Sequence, residues 1–283
     1  MAAPRRNLEV VSKDGTKIVV IDEGAGKPIV VVHGGSSHAD SWSAVTRELA
    51  PRYRVLSIER RLYGRSGAPQ SPHSIAREVE DLQALFERIG EPVLLVGHSS
   101  GGVVALETAL ASPSSIAGLA LYEPPVAVSK PIGGEPLVRA RRALDRGNKS
   151  AAMWIHLREL VKFPLPQLLL LRCLPRAWHG MAAMAPGQIT DAEGIEALGV
   201  GIDRYASIKI PTLLIGGTES PANLRERLNA LSRKLPRLHR ISIMEGQGHI
   251  ANHHAPRLLV ELVGEFAASL FSPGRPLTPS AHA

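Results

Sequence analysis

A single cysteine, Cys173, excludes an internal disulfide and speaks against a thiolate metal site. Aromatic residues make up only 4 % of the chain. A core must therefore be built mainly from Leu, Val, Ile and Ala, and no rings interleave with the densest basic groups to stack on nucleic-acid bases. Long apolar runs are also missing. The most apolar short run, Leu168 to Leu171, ends at Arg172 and is far too short to cross a bilayer. Met1 to Arg6 lacks the apolar stretch of a signal peptide. These absences predict a cytoplasmic protein with no membrane partner.

Charge of one sign is in mild excess, with 33 Lys and Arg against 26 Asp and Glu, a formal net charge of +7. The basic groups Arg5-Arg6, Arg60-Arg61 and Arg139 to Arg142 are short and scattered. They read as solvated helix faces and loop ends, so no nucleic-acid partner is expected. What remains is ordinary for a globular protein: 44 % hydrophobic and 21 % charged residues in a chain of 283. That length suits one α/β domain carrying an insertion.

The order of patterns supports this class. Leu8 to Val11 and Lys17 to Ile21 flank the turn signal Asp14-Gly15 and read as a hairpin. Pro28 to His33 is a continuous apolar run, as in a strand buried on both faces. Helical and strand patterns then alternate: Ala39 to Leu49, Tyr53 to Ile58, Ile75 to Ile89, Pro92 to Val96, Val103 to Ala111, Ile116 to Tyr122. Such alternation predicts a mostly parallel sheet with helices on both faces. The rhythm breaks over 126–207, which has helical stretches and prolines but no convincing strand. It resumes with strands at Pro211 to Ile215 and Arg240 to Met244 and helices at Ala222 to Leu235 and Pro256 to Leu270. Residues 1–125 and 208–271 are thus expected to form the α/β core, 126–207 a helical cap, and 272–283 a disordered tail rich in Pro and Ser.

One segment carries chemistry. Gly97-x-Ser99-x-Gly101 lies between a strand and a helix, the context of a nucleophile elbow. A frame on Ser100 would need glycine at position 98, which is histidine, so Ser99 is the candidate nucleophile. The elbow lifts the hydroxyl above the sheet edge, where the N-terminal N–H groups of the next helix favour developing negative charge. The spacing lacks the pattern of a dinucleotide fingerprint, and no metal-ligand cluster is evident, so no cofactor and no metal are expected.

With these motifs the chain resembles the α/β-hydrolase superfamily from about Leu8 to Leu270. His33-Gly34-Gly35, Glu59 to Ser66, Pro211 to Pro221 and Gly246-Gln247-Gly248-His249 match that superfamily's pattern in order. The resemblance implies an oxyanion hole from the backbone N–H of Ser100 and of Gly35, with Ser36 as the alternative. It implies His249 as general base, while His33 and His98 lie inside other motifs and read as structural. Imidazoles titrate near neutrality, as a base at pH 7 requires.

The pattern departs at the acid. Many members place Asp after the strand that follows the insertion, where this chain has Ser220 in Gly217-Thr218-Glu219-Ser220-Pro221. Glu219 is adjacent; Glu123 ends the strand Ile116 to Tyr122. The branch typified by zearalenone-type lactone hydrolases carries a catalytic Glu after that equivalent strand. The order Ser99, Glu123, His249 keeps the sequence Ser, acid, His, and Glu123 is preferred. The bland alternative for either is a loop carboxylate paired with an arginine such as Arg60 or Arg225. Trp42, Trp154, Trp178 and Met181 are candidates to line a substrate pocket under the cap.

These residues imply a serine hydrolase acting on an ester or lactone of a small molecule. Carbon–carbon bond hydrolysis, cofactor-free dioxygenase or perhydrolase chemistry, and a non-turnover receptor role share the fold. Asp-dependent dehalogenase or epoxide chemistry does not fit a serine elbow.

Overall fold

The structure, a computed structural model, describes residues 5–272. The expectation of disorder over 272–283 falls, beyond Ser272, outside the described residues.

Eight strands form one sheet in the order β1-β2-β4-β3-β5-β6-β7-β8. They are β1 (Arg6–Val11), β2 (Lys17–Gly24), β3 (Pro28–Val32), β4 (Arg54–Ile58), β5 (Val93–His98), β6 (Ile116–Tyr122), β7 (Thr212–Gly217) and β8 (Leu238–Met244). The hairpin β1–β2 is antiparallel and joins β4 antiparallel; from β4 to β8 every pairing is parallel. The α/β-hydrolase fold class read from the sequence is therefore the observed one.

The apolar runs of the central strands split by pleat. Val30, Val32, Leu95, Leu119, Leu121 and Leu214 pack on one face, with α2 (Ile75–Ile89) and α3 (Ser100–Ala111). Ile29, Val31, Leu94, Val96, Ala120, Leu213 and Ile215 pack on the other, with α1 (Ser43–Leu49) and α11 (Pro256–Phe271). Because both faces are covered, successive residues are all apolar and alternation disappears. Helix α2 starts where the Ser74 side chain accepts from Arg77 N–H and ends at Gly90 in the left-handed conformation. Between Ala39 and Trp42 the backbone is a 3-10 helix, so α1 begins only at Ser43.

Between β6 and β7 lie α4 (Gly134–Asp145), α5 (Lys149–Ile155), α6 (Leu165–Arg172), α7 (Pro175–Ala183) and α8 (Ala185–Glu196). They share a small core of their own, including Leu137, Ala140, Met153, Leu168, Trp178 and Ile189. Among the described residues the remaining α-helices are α9 (Ala222–Ser232) and α10 (Ala251–His254).

Candidate active site

The sheet gathers its chemistry at the carboxyl ends of β3, β5 and β6 and in the loop after β8, where open parallel sheets leave a crevice. Ser99 sits between β5 and α3 with φ 52° and ψ −127°. A non-glycine residue in that region is strained, and here surrounding contacts hold it. Its N–H donates to the Tyr122 carbonyl at 2.8 Å, and its carbonyl accepts from Gly102 N–H at 2.8 Å. The flanking glycines are steric necessities. A Cβ on Gly97 would lie 2.7 Å from the Gly102 Cα, and one on Gly101 would overlap the carbonyls of Val32 and His33. A Cβ on Gly34 would come within 3.0 Å of Ser99 Cβ, so the loop after β3 runs directly beside the elbow.

Glu123 follows β6 with φ 47°, a second non-glycine residue in left-handed space. Its N–H is held by the Ile215 carbonyl at 3.1 Å, and its carboxylate is fully buried. Oε1 accepts from Gly217 N–H at 2.9 Å, and Oε2 lies 2.7 Å from His249 Nδ1. A carboxylate at Nδ1 makes that nitrogen the donor and leaves the Nε2 lone pair free to accept a proton. The His249 side chain is 24 % exposed. Nε2 makes no hydrogen bond within the described protein and neither does Ser99 Oγ, an open arrangement that substrate-free sites commonly show.

Glu219 is exposed, and its carboxylate makes no hydrogen bond among the described residues. Ser220 is buried with an unpartnered hydroxyl. Of the two glutamates weighed from the sequence, the structure brings only Glu123 to an imidazole. Arg60, the suggested structural partner for either, is engaged elsewhere.

Two further histidines fix the scaffold. His98 Nε2 lies 2.9 Å from the His249 carbonyl, and the two rings are 4.9 Å apart. His33 accepts from Arg60 N–H at Nε2 (3.2 Å) and donates from Nδ1 to the Gly34 carbonyl (2.7 Å). Both are buried and neutral. Burial, then the Arg60 charge, depresses His33 to about 3; burial, then His249, lowers His98 well below the usual imidazole value. Tyr122 clamps the His249 loop from both sides, donating to the Gly248 carbonyl and accepting from Ala251 N–H. The oxyanion candidates lie where the sequence puts them: Ser100 is the first residue of α3, and Gly35 and Ser36 follow β3, with Ser36 at φ 49°.

Of the pocket residues read from the sequence, the structure buries Trp42 and Trp178 and leaves Trp154 and Met181 half-buried. Trp42 is 1 % exposed and belongs to the core between the sheet and α1 and α11, edge-on to His98. Trp154 and Trp178 pack edge-to-face at 6.3 Å with the Arg172 guanidinium against both, and Met181 packs against the same small core of the helices between β6 and β7. In a chain poor in aromatics these large side chains supply buried area where a small helical layer needs it. Of the helices between β6 and β7, α8 approaches the site through Gln188 and Asp191. Ser36 Oγ donates to Gln188 Oε1 at 3.0 Å, and Asp191 pairs with the buried Arg60 at 2.7 Å.

His73, Glu78 and Asp191 place possible ligand atoms within 4.8 Å of one another. The Arg60 guanidinium already sits on both carboxylates at 2.6–3.1 Å, so a cation is built into that cluster.

The buried neutral histidines predict an acid-labile fold. Burial also pushes His156 down to about 4. Each of the three has a folded-state value below its unfolded one, so the unfolded chain binds protons first. Their stabilisation is complete above about pH 6.5 and is lost as pH falls toward 4 and below, at about 1.4 kcal/mol per pH unit for each. Urea midpoints should fall steeply from pH 6.5 to 4.5, and His156→Leu should lessen the slope by about one such increment. A midpoint flat over that range would contradict the assignment.

With the geometry in hand, the relatives are informative. Residues 29–262 match the family model described as the alpha/beta hydrolase family. The chain belongs to that family. A structure of an alpha/beta hydrolase from Sphaerobacter thermophilus superposes with TM-score 0.79 at 31 % identity, over 90 % of this chain and 100 % of the other. The esterase RhEst1 from Rhodococcus sp. superposes with TM-score 0.73 at 24 % identity, over 93 % and 99 % of the two chains, a likeness of fold. A Bacillus subtilis protein provisionally named 2-succinyl-6-hydroxy-2,4-cyclohexadiene-1-carboxylate synthase is 27 % identical, over 93 % of this chain and 99 % of its own. Among the described residues, no helix of this hydrolase-family chain is long and apolar enough to cross a membrane.

Proposed function

We propose that the protein is a serine hydrolase that cleaves small carboxylic esters or lactones through an acyl-enzyme on Ser99. The observation that carries this reading is the 2.7 Å contact between His249 Nδ1 and the buried Glu123 carboxylate, beside a serine held at a positive-φ elbow. Ser99 Oγ attacks the carbonyl carbon while its proton passes to His249 Nε2. The carbonyl oxygen becomes an oxyanion received by the N–H groups of Ser100 and Gly35. The C–O bond breaks, the leaving alkoxide takes the proton from His249, and a water activated by the same imidazole frees the acid. Glu123 holds the ring in the tautomer that each step needs and stabilises its charged form, while Gly217 N–H fixes the carboxylate itself.

Purified protein should hydrolyse 4-nitrophenyl butyrate over many turnovers at pH 7.5 in the presence of EDTA, and should open a simple lactone under the same conditions. A folded protein that takes up one equivalent of a fluorophosphonate yet turns over neither substrate would count against the ester and lactone assignment and favour a receptor.

A further inference from the structure

The cap and the oxyanion donors meet on one guanidinium. Arg60 Nη1 donates to Ser100 Oγ at 2.8 Å, to Asp191 Oδ2 at 3.1 Å and to the His33 carbonyl at 3.4 Å. Its Nη2 reaches Asp191 Oδ1 at 2.7 Å, and Nε and Nη2 grip Glu78 at 2.6 and 2.7 Å. The side chains of Arg60, Glu78 and Asp191 are at most 3 % exposed. Although burial opposes both charges, the pair keeps the Asp191 carboxyl below its ordinary range and Arg60 well above its own, so both stay ionised. Three segments are thereby tied at one point: the elbow through Ser100, the loop after β3 through His33, and the cap through Asp191. Gln188, one turn before Asp191 on α8, adds a second contact to the loop after β3: it accepts from Ser36, and a Cβ on Gly35 would overlap its carboxamide.

We propose that Arg60 is a positioning residue that couples docking of α8 to the placement of the oxyanion donors, so that the oxyanion site takes its working shape only with the cap seated. This rests on the assignment of Ser99 as nucleophile and of Ser100 as oxyanion donor. A buried ion pair seldom gives more stability than well-packed apolar side chains would. What it gives here is direction: five N–H donors in a rigid plane fix the relative positions of their acceptors. When α8 lifts, Asp191 leaves Nη1 and Nη2, the Ser100 hydroxyl loses its fixed partner geometry, and Ser36 loses Gln188. Oxyanion donors act through placement within tenths of an ångström, so such loosening reads out as rate.

A double-mutant cycle tests the coupling. Ser100→Ala keeps the backbone N–H and removes only the hydroxyl; Asp191→Asn keeps the shape and removes the charge. Each should lower kcat on 4-nitrophenyl butyrate about tenfold with KM nearly unchanged, and the double variant should lose little more than either alone. Additive losses of about a hundredfold, or a rise in KM alone, would overturn the proposal. If Asp191→Asn does not fold, Ser100→Ala decides by itself: a trifluoromethyl ketone, which forms an oxyanion adduct on the nucleophile, should bind about tenfold more weakly at unchanged melting temperature. An unchanged inhibition constant would sink the proposal. Failure of the underlying assignment looks different, since wild-type protein would then neither turn over ester nor form a fluorophosphonate adduct at Ser99.

Discussion

Replacing Ser99 by alanine is expected to cut kcat by about six orders of magnitude and to abolish covalent labelling by a fluorophosphonate. The size of the loss follows from the chemistry. Without Oγ there is no acyl-enzyme, and the imidazole has no nucleophile to activate. The residual rate comes from water attacking a substrate still held by the oxyanion donors. The substitution removes one oxygen at a half-buried site and leaves the flanking glycines in place, so the fold should persist. A melting temperature near wild type with turnover gone assigns the loss to chemistry. Retained labelling would move the nucleophile elsewhere, with Ser100 the first alternative.

Glu123→Gln should cost about four orders of magnitude in kcat, whereas Glu219→Gln should cost almost nothing. A carboxamide can still accept from Gly217 N–H. Toward His249, however, it can turn its NH2 group, which selects the wrong imidazole tautomer and withdraws the charge that balances imidazolium. Glu219 is exposed and its carboxylate makes no hydrogen bond or ion pair with an imidazole among the described residues, so its loss perturbs only a surface loop. Comparing kcat for the two variants on one ester settles the acid; a larger loss for Glu219→Gln would reverse the assignment.

Much of this architecture could be read from residue order. Ile75 to Ile89 and Ile116 to Tyr122 coincide with α2 and β6 to the residue, because a clear helical face and an unbroken apolar run each have one solution. The elbow was legible because its glycines are dictated locally, by contacts within a few residues or with the adjacent strand end. Glu123 could be narrowed to one of two candidates only because Ser220 stands where an acid is customary. Other features had no local signal. Trp42 is flanked by serines at the end of a 3-10 turn, and nothing in that context distinguishes a core side chain from a pocket wall. The contact of Arg60 with Asp191 spans 131 positions, and each residue alone resembles any surface charge. Strand β5 continues through Gly97 and His98 to the elbow itself, past the last residue that hydropathy would include.

The proposed acid, Glu123 at the end of β6, divides labour between two neighbouring strands. The last residue of β7 supplies the Gly217 N–H that anchors the Glu123 carboxylate. The loop that follows it braces the turn leading to His249, with Gly246 N–H donating to Thr218 Oγ1 at 2.9 Å and Glu219 N–H to the Gln247 carbonyl at 2.8 Å, so an inserted residue there would move the imidazole, whereas an exchanged side chain at exposed Glu219 would alter only the rim of the cleft.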